Sequence, residues 1–210
     1  MKNMGKQMGE MFVFPDQFFT NTICIIGSIS NDIADKVVKE LDFLARFHKT
    51  IIVFIESDGG DFFAAKKIYD KLLELTRKNI ETIGIATGDL SSISGFMFQG
   101  FSSRIISNGT EMLVHNLKEE MIIGYIPHVH SRKKTHGIVE GMINESYAVQ
   151  KLISFTLSIV SGMSEKKVAK LLLQKPILDS GQIMEYGFAD KILSFEQILE
   201  FRSKKEVCIP

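Results

Sequence analysis

The sequence predicts an α/β protein built on a mainly parallel sheet, and three observations predict it. The apolar runs TICIIG (22–27) and IIVFI (51–55) are unbroken, as in strands covered on both faces. Each run is followed by apolar residues at helical spacing: Ile33, Val37, Leu41 and Leu44 after the first, Phe63, Ile68, Leu72 and Leu75 after the second,. With 45% hydrophobic and 24% charged residues in 210, the chain can fill one packed core and is not a disordered polymer. Strand, helix, strand, helix, strand is the rhythm of βαβ units.

The elements follow in order. Residues 1–20 read as an N-terminal arm, and 21–210 as a single domain. Ser30 or Asn31 caps the first helix, which is expected to run to about His48,. After the second strand, ESDGGD turns the chain into the second helix. A third strand covers 82–86. The polar turn TGDLSS then leads into a short apolar helix from about Ser92 to Phe101. Two short strands, 104–107 and 111–115, flank Asn108-Gly109, a tight-turn pair,. A stretch of mixed character, 116–132, precedes a long helix over about 131–160 that Gly162 stops. A further helix starts at Ser164, and Asp179-Ser180-Gly181-Gln182 has the pattern of a capping box,. Its short helix ends at Gly187, before a last strand at 190–193. The long helix reads as an excursion that needs a partner, hence an assembly element.

Charge and cysteine content exclude several classes. Lys+Arg and Asp+Glu both number 25, so no basic excess marks a nucleic-acid binder. Little long-range repulsion opposes self-association. Cys24, in an apolar run, and Cys208, near the end, make no disulfide framework,. The first residues, MKNMGKQMGEMFVF, hold no signal-peptide stretch, and no run approaches the ~20 residues of a membrane helix. The expectation is a cytoplasmic protein with no membrane and no nucleic-acid partner. His128, His130 and His136 have no Cys or acidic cluster beside them. They read as loop or interface residues, so no metal and no cofactor is expected. Arg132, Lys133 and Lys134 read as the solvated start of the long helix.

Three segments carry chemistry. In Ser57-Asp58-Gly59-Gly60 the glycines let the backbone turn sharply and present N–H groups next to a helix N-terminus, suited to an oxyanion. A plain strand-to-helix turn is the competing reading. In Gly88-Asp89-Leu90-Ser91-Ser92-Ile93-Ser94-Gly95 a serine opens an apolar helix at a strand end. That follows the logic of a nucleophile elbow without the G-x-S-x-G pattern; the competing reading is an N-cap at Ser91 or Ser92. His115 ends the strand EMLVH, where a neutral imidazole can serve as a base or simply be a hydrogen-bonded structural residue. All three lie where strands end, the edge at which α/β sheets collect ligands. Together they supply the nucleophile, base and oxyanion donors of acyl transfer.

Four segments resemble the Clp protease proteolytic subunit family. They are IIVFIESDGGDFFAAKKIYDKL, TIGIATGDLSSISGFMFQG, GTEMLVHN and EYGFADKIL, in that order across about 20–195. The resemblance implies a crotonase-like α/β fold in which the region 116–162 forms a loop and a protruding handle helix. It implies Ser92 as nucleophile, His115 as general base, and the N–H groups of Gly60 and Ile93 as oxyanion hole. It also implies polypeptide substrates, cleavage inside a homo-oligomer of stacked heptameric rings, and an AAA+ unfoldase partner.

The chain departs from the family's pattern at several positions. Lys175 stands where the family has its triad Asp; Asp179, four residues on, is the candidate replacement, although its spacing suits an N-cap. Asp58 replaces the usual proline, Ser94 the usual glycine, and Leu90 is bulky. Three rival readings follow: a weakly active or inactive structural subunit, a crotonase-type acyl-CoA enzyme using Asp58 and Asp89, and a Ser-Lys peptidase with Lys175 as base.

Overall fold

The structure is a computed structural model that describes residues 21–116, 132–174 and 176–205, with backbone alone for 132–145 and 202–205. The expected N-terminal arm, His128, His130, Lys175 and Cys208 lie outside the described residues, as do the side chains of Arg132, Lys133, Lys134 and His136. The chain forms two compact units, Met1–Leu113 with Ile177–Pro210, and Val114–Pro176.

In the first unit, β1 (Thr22–Ile29), β2 (Thr50–Gly60), β3 (Glu81–Ser91), β4 (Ser103–Ser107) and β7 (Lys191–Leu193) lie side by side in chain order. All of these neighbours are parallel. Two short strands extend the sheet, β5 (Met112–Leu113) parallel to β3 and β6 (Ile177–Leu178) antiparallel to β5. The parallel sheet read from the sequence is therefore present.

The connecting helices form because their apolar residues share one stripe. In α1 (Asn31–Leu44) the buried residues are Ala34, Val37, Leu41 and Leu44, and the Ser30 hydroxyl accepts from the Ile33 N–H. Its last residues differ from the expectation: the helix stops at Leu44 and continues as a turn to Phe47. In α2 (Phe62–Arg77), Phe62, Ala64, Ala65, Ile68, Leu72 and Leu75 are buried. Each Leu or Ile so placed contributes roughly 1.5–3 kcal/mol. The short helix α3 (Ile93–Phe98) is buried at every residue. Gly84 makes room for it: a methyl there would come within 2.6 Å of the Phe101 ring and 2.9 Å of the Phe98 ring. The opposite face carries Ile52, Ile83, Ile85, Ile105 and Leu193, covered by Ile198 and Phe201 of α7 (Phe195–Lys205).

Two turns expected from the sequence are strand instead, and both concern the site. ESDGG continues β2, because after a bulge Gly59 and Gly60 pair with Ser28 and Ile29 of β1. TGDLS continues β3, because Leu90 and Ser91 pair with Met112 and Leu113 of β5. The Asn108-Gly109 turn does not fold β4 and β5 into a hairpin. Both run parallel to β3, β4 beside residues 83–86 and β5 beside 90–91. The Thr110 hydroxyl fixes this step by donating to the Ala86 carbonyl at 3.0 Å.

In the second unit, α4 (Arg132–Ser161) is the expected long helix, ending where Gly162 takes φ +67°. Here α5 (Glu165–Gln174) follows. Val149, Ile153 and Leu157 of α4 and Val168, Leu171 and Leu172 of α5 are buried, while Tyr147, Phe155 and Ile159 are exposed along one flank of α4. No helix among the described residues is long and apolar enough to cross a membrane.

Candidate active site

The first unit brings Gly59, Gly60, Ser92 and Ile93 to the carboxyl ends of adjacent strands β2 and β3. Ser92 has φ +58° and ψ −126°, a conformation that costs an L-residue on the order of 1–3 kcal/mol. The surroundings hold it there. Its N–H donates to the Leu113 carbonyl at 2.8 Å, and the Leu90 N–H donates to the Glu111 carbonyl at 2.8 Å. These contacts come from β5 and from Glu111 just before it, so the two-residue strand and its flank serve to fix the elbow. Ser92 occupies the cap position of α3, yet its hydroxyl makes no capping hydrogen bond. Ser92 is thus an N-cap by position and not by a side-chain hydrogen bond.

Gly59 meets this serine directly. At φ +102° its missing methyl would lie 2.8 Å from Ser92 Cβ and 2.8 Å from the Ser91 carbonyl oxygen. Gly60, at φ +137°, is equally confined; a methyl would fall 2.4 Å from the Ile29 carbonyl oxygen. Glycine is required twice, once so that β2 can touch the elbow and once so that it can touch β1. Asp61 then caps α2, its carboxylate accepting from the Ala64 N–H at 2.8 Å. Ile93, the first residue of α3, is at a position whose N–H has no acceptor within the helix. Asp58 and Asp89 are both exposed.

Residues not singled out as site residues also build this edge. The buried Ser57 hydroxyl donates to the Gly27 carbonyl at 2.6 Å and accepts from the Gly59 N–H at 3.2 Å. The fully buried Ser94 hydroxyl lies 2.7 Å from the Ser91 carbonyl and 3.1 Å from the Ser57 carbonyl. A serine inside an otherwise apolar helix was the signal for the second.

Asp179 belongs to the same unit but is engaged elsewhere. Its carboxylate accepts from the Gln182 N–H at 2.9 Å, and the Gln182 side chain accepts from the Asp179 N–H at 3.0 Å. This is the capping box of α6 (Ser180–Glu185). Since Leu178 pairs with Met112 and Ile177 with Leu113, Asp179 stands beyond Met112, at the end of β5 away from Leu113. The carboxylate is exposed and serves the helix cap, the role its spacing suited.

His115 belongs to the second unit, two residues beyond β5. It is buried, and its Nδ1 lies 3.4 Å from the Asn116 carbonyl oxygen.

A family model described as Clp protease matches residues 10–196. The ATP-dependent Clp protease proteolytic subunit 1 of Tropheryma whipplei is 29% identical over 84% of this chain and 82% of its own length. Subunit 2 of Treponema pallidum is 23% identical over 91% of this chain and 92% of its own. A mutant ClpP1 chain of Listeria monocytogenes superposes with a TM-score of 0.69 at 21% identity, covering 85% of this chain and 94% of that one, a likeness of fold.

Proposed function

This chain belongs to the Clp protease family, and from that premise we propose that it is a serine endopeptidase in which Ser92 attacks and His115 is the base. The observation that carries the proposal is the strained backbone of Ser92, whose hydroxyl is not spent on capping α3. Strain of this kind persists only where the surroundings over-determine it, and it clusters at functional sites.

The chemistry follows from the residues. Ser92 Oγ attacks a peptide carbonyl while His115 takes its proton. The N–H groups of Gly60 and Ile93 stabilise the oxyanion. His115 then protonates the leaving amine, and water, activated by the same imidazole, releases the acyl group from Oγ. Chain connectivity favours the pairing. Leu113 holds the Ser92 N–H, and His115 Cα can lie no more than about 7 Å from Leu113 Cα along the chain. A neutral imidazole has one lone pair able to take the serine proton. Because Lys175 stands where the family has its triad Asp, turnover is expected to be slow; loss of that carboxylate in a serine protease costs about 10⁴-fold.

The exposed Tyr147, Phe155 and Ile159 of α4 support assembly through this helix, in keeping with stacked heptameric rings enclosing the sites and an AAA+ unfoldase feeding them polypeptide. The second reading, a structural subunit of low activity, is favoured by the engagement of Asp179 as a cap. A fluorophosphonate probe decides between them. The assembled wild type should be labelled at Ser92, Ser92→Ala should not be, and His115→Ala should lose about 10³-fold or more in rate. No labelling where a control peptidase is labelled would refute the peptidase, and a harmless His115→Ala would transfer the base to Lys175.

A further inference from the structure

We propose that Ser94 is a positioning residue that ties the Gly59-Gly60 end of β2 to the Ser92 elbow, an inference that rests on the serine-peptidase reading for its catalytic consequence. Ser94 is fully buried in the first turn of α3, at a position where the resemblance to the family has glycine. Its hydroxyl has one proton and two carbonyls to share it between, Ser91 at 2.7 Å and Ser57 at 3.1 Å.

Each carbonyl matters for a separate reason. The Ser91 carbonyl and the Ser92 N–H belong to one planar peptide. Ser94 holds the carbonyl edge of that plane, and Leu113 holds the N–H edge at 2.8 Å. With both edges held, the peptide entering Ser92 cannot rotate to relieve the positive φ. The Ser57 carbonyl belongs to the end of β2: the same residue's hydroxyl binds the Gly27 carbonyl and the Gly59 N–H. A continuous line of hydrogen bonds therefore runs from β1 through Ser57 to Ser94 and the elbow. The spacing between the Gly60 and Ile93 amides, on which the proposed oxyanion hole depends, is set across this line. A glycine at position 94 offers no such tie.

Hydrogen exchange on the full-length protein tests the tie whether or not the chain hydrolyses peptides. Ser94→Ala should accelerate exchange about tenfold in both 57–60 and 90–93, the effect of losing one buried hydrogen bond. Ser94→Cys, similar in size with a weak donor, should fall between. Ser102→Ala, which removes a comparable bond to the Thr82 carbonyl, should accelerate 81–83 and leave 57–60 unchanged. Acceleration confined to 90–93, or none, overturns the tie. In peptide hydrolysis Ser94→Ala should lower kcat about tenfold with KM unchanged, and Ser94→Cys should restore part of it. Wild-type kcat in Ser94→Ala, with exchange accelerated, would overturn the positioning role alone. A wild type neither hydrolysing nor labelled would instead refute the peptidase reading, while the exchange result still decides the tie.

Discussion

A single methyl group at Gly59 measures how tightly the site is built. In Gly59→Ala the new carbon would sit 2.8 Å from the Ser91 carbonyl oxygen and 2.8 Å from Ser92 Cβ, against about 3.5–4.0 Å for relaxed contact between carbons. The elbow would have to retreat, although Leu113 holds it from one side and the Ser57–Ser94 bonds from the other. Overpacking of this kind costs about 1–3 kcal/mol, and the positive φ adds about 1–2 kcal/mol for a residue with a Cβ. The expected loss is about 2–5 kcal/mol, or roughly 2–4 °C of Tm for each kcal/mol in a chain of this size. Gly27→Ala is the matched comparison: Gly27 also has positive φ, +84°, but a methyl there meets nothing within 4 Å. It should cost only the backbone share, about 1–2 kcal/mol. Urea or thermal unfolding at one fixed protein concentration reads both variants, the concentration being held because assembly shifts apparent stability. Equal losses in the two would show that Gly59 does not press on the elbow, and the account of the site's construction would fail.

Two further outcomes are expected. Asp179→Ala should cost about 0.5–2 kcal/mol of stability as a lost N-cap while fluorophosphonate labelling per folded site stays at the wild-type rate; a large drop in labelling would return Asp179 to the catalytic apparatus. Glu74 carries a pH effect. The ammonium groups of Lys71 and Lys78, at 2.7 and 2.5 Å, lower its pKa to about 2. A depressed folded-state value stabilises the fold above the unfolded carboxylate's ordinary range, near 4.3, and that stabilisation is lost as pH falls towards 2. Because Glu74 and Lys78 keep much of their side-chain surface in solvent, the contribution is at most about 1 kcal/mol and shrinks in salt. Glu74→Gln should therefore flatten the stability profile between pH 5 and 2, as read by denaturant midpoints, and an unchanged slope would contradict it.

The sequence by itself determined the βαβ order, because strand and helix periodicities are local properties of apolar spacing. The stripes of α1 and α2 and the stop at Gly162 were legible for that reason, except that Phe62 and not the exposed Phe63 opens the buried stripe of α2. The capping box at Asp179 was legible too, since both its partners lie within four residues. Only tertiary structure decided where β2 and β3 end. Ser-Asp-Gly-Gly and Thr-Gly-Asp-Leu-Ser have the composition of turns, and they are strands because β1 and β5, tens of residues away, supply the hydrogen bonds. The same holds for Asn108-Gly109, a hairpin signal that becomes a step between two strands lying along β3. The positive φ of Ser92 and the links from Ser57 through Ser94 belong to this class as well. A residue's intrinsic preferences are fixed by its own atoms and near neighbours, but strain and buried hydrogen bonds are stable only when distant segments supply the opposing contacts.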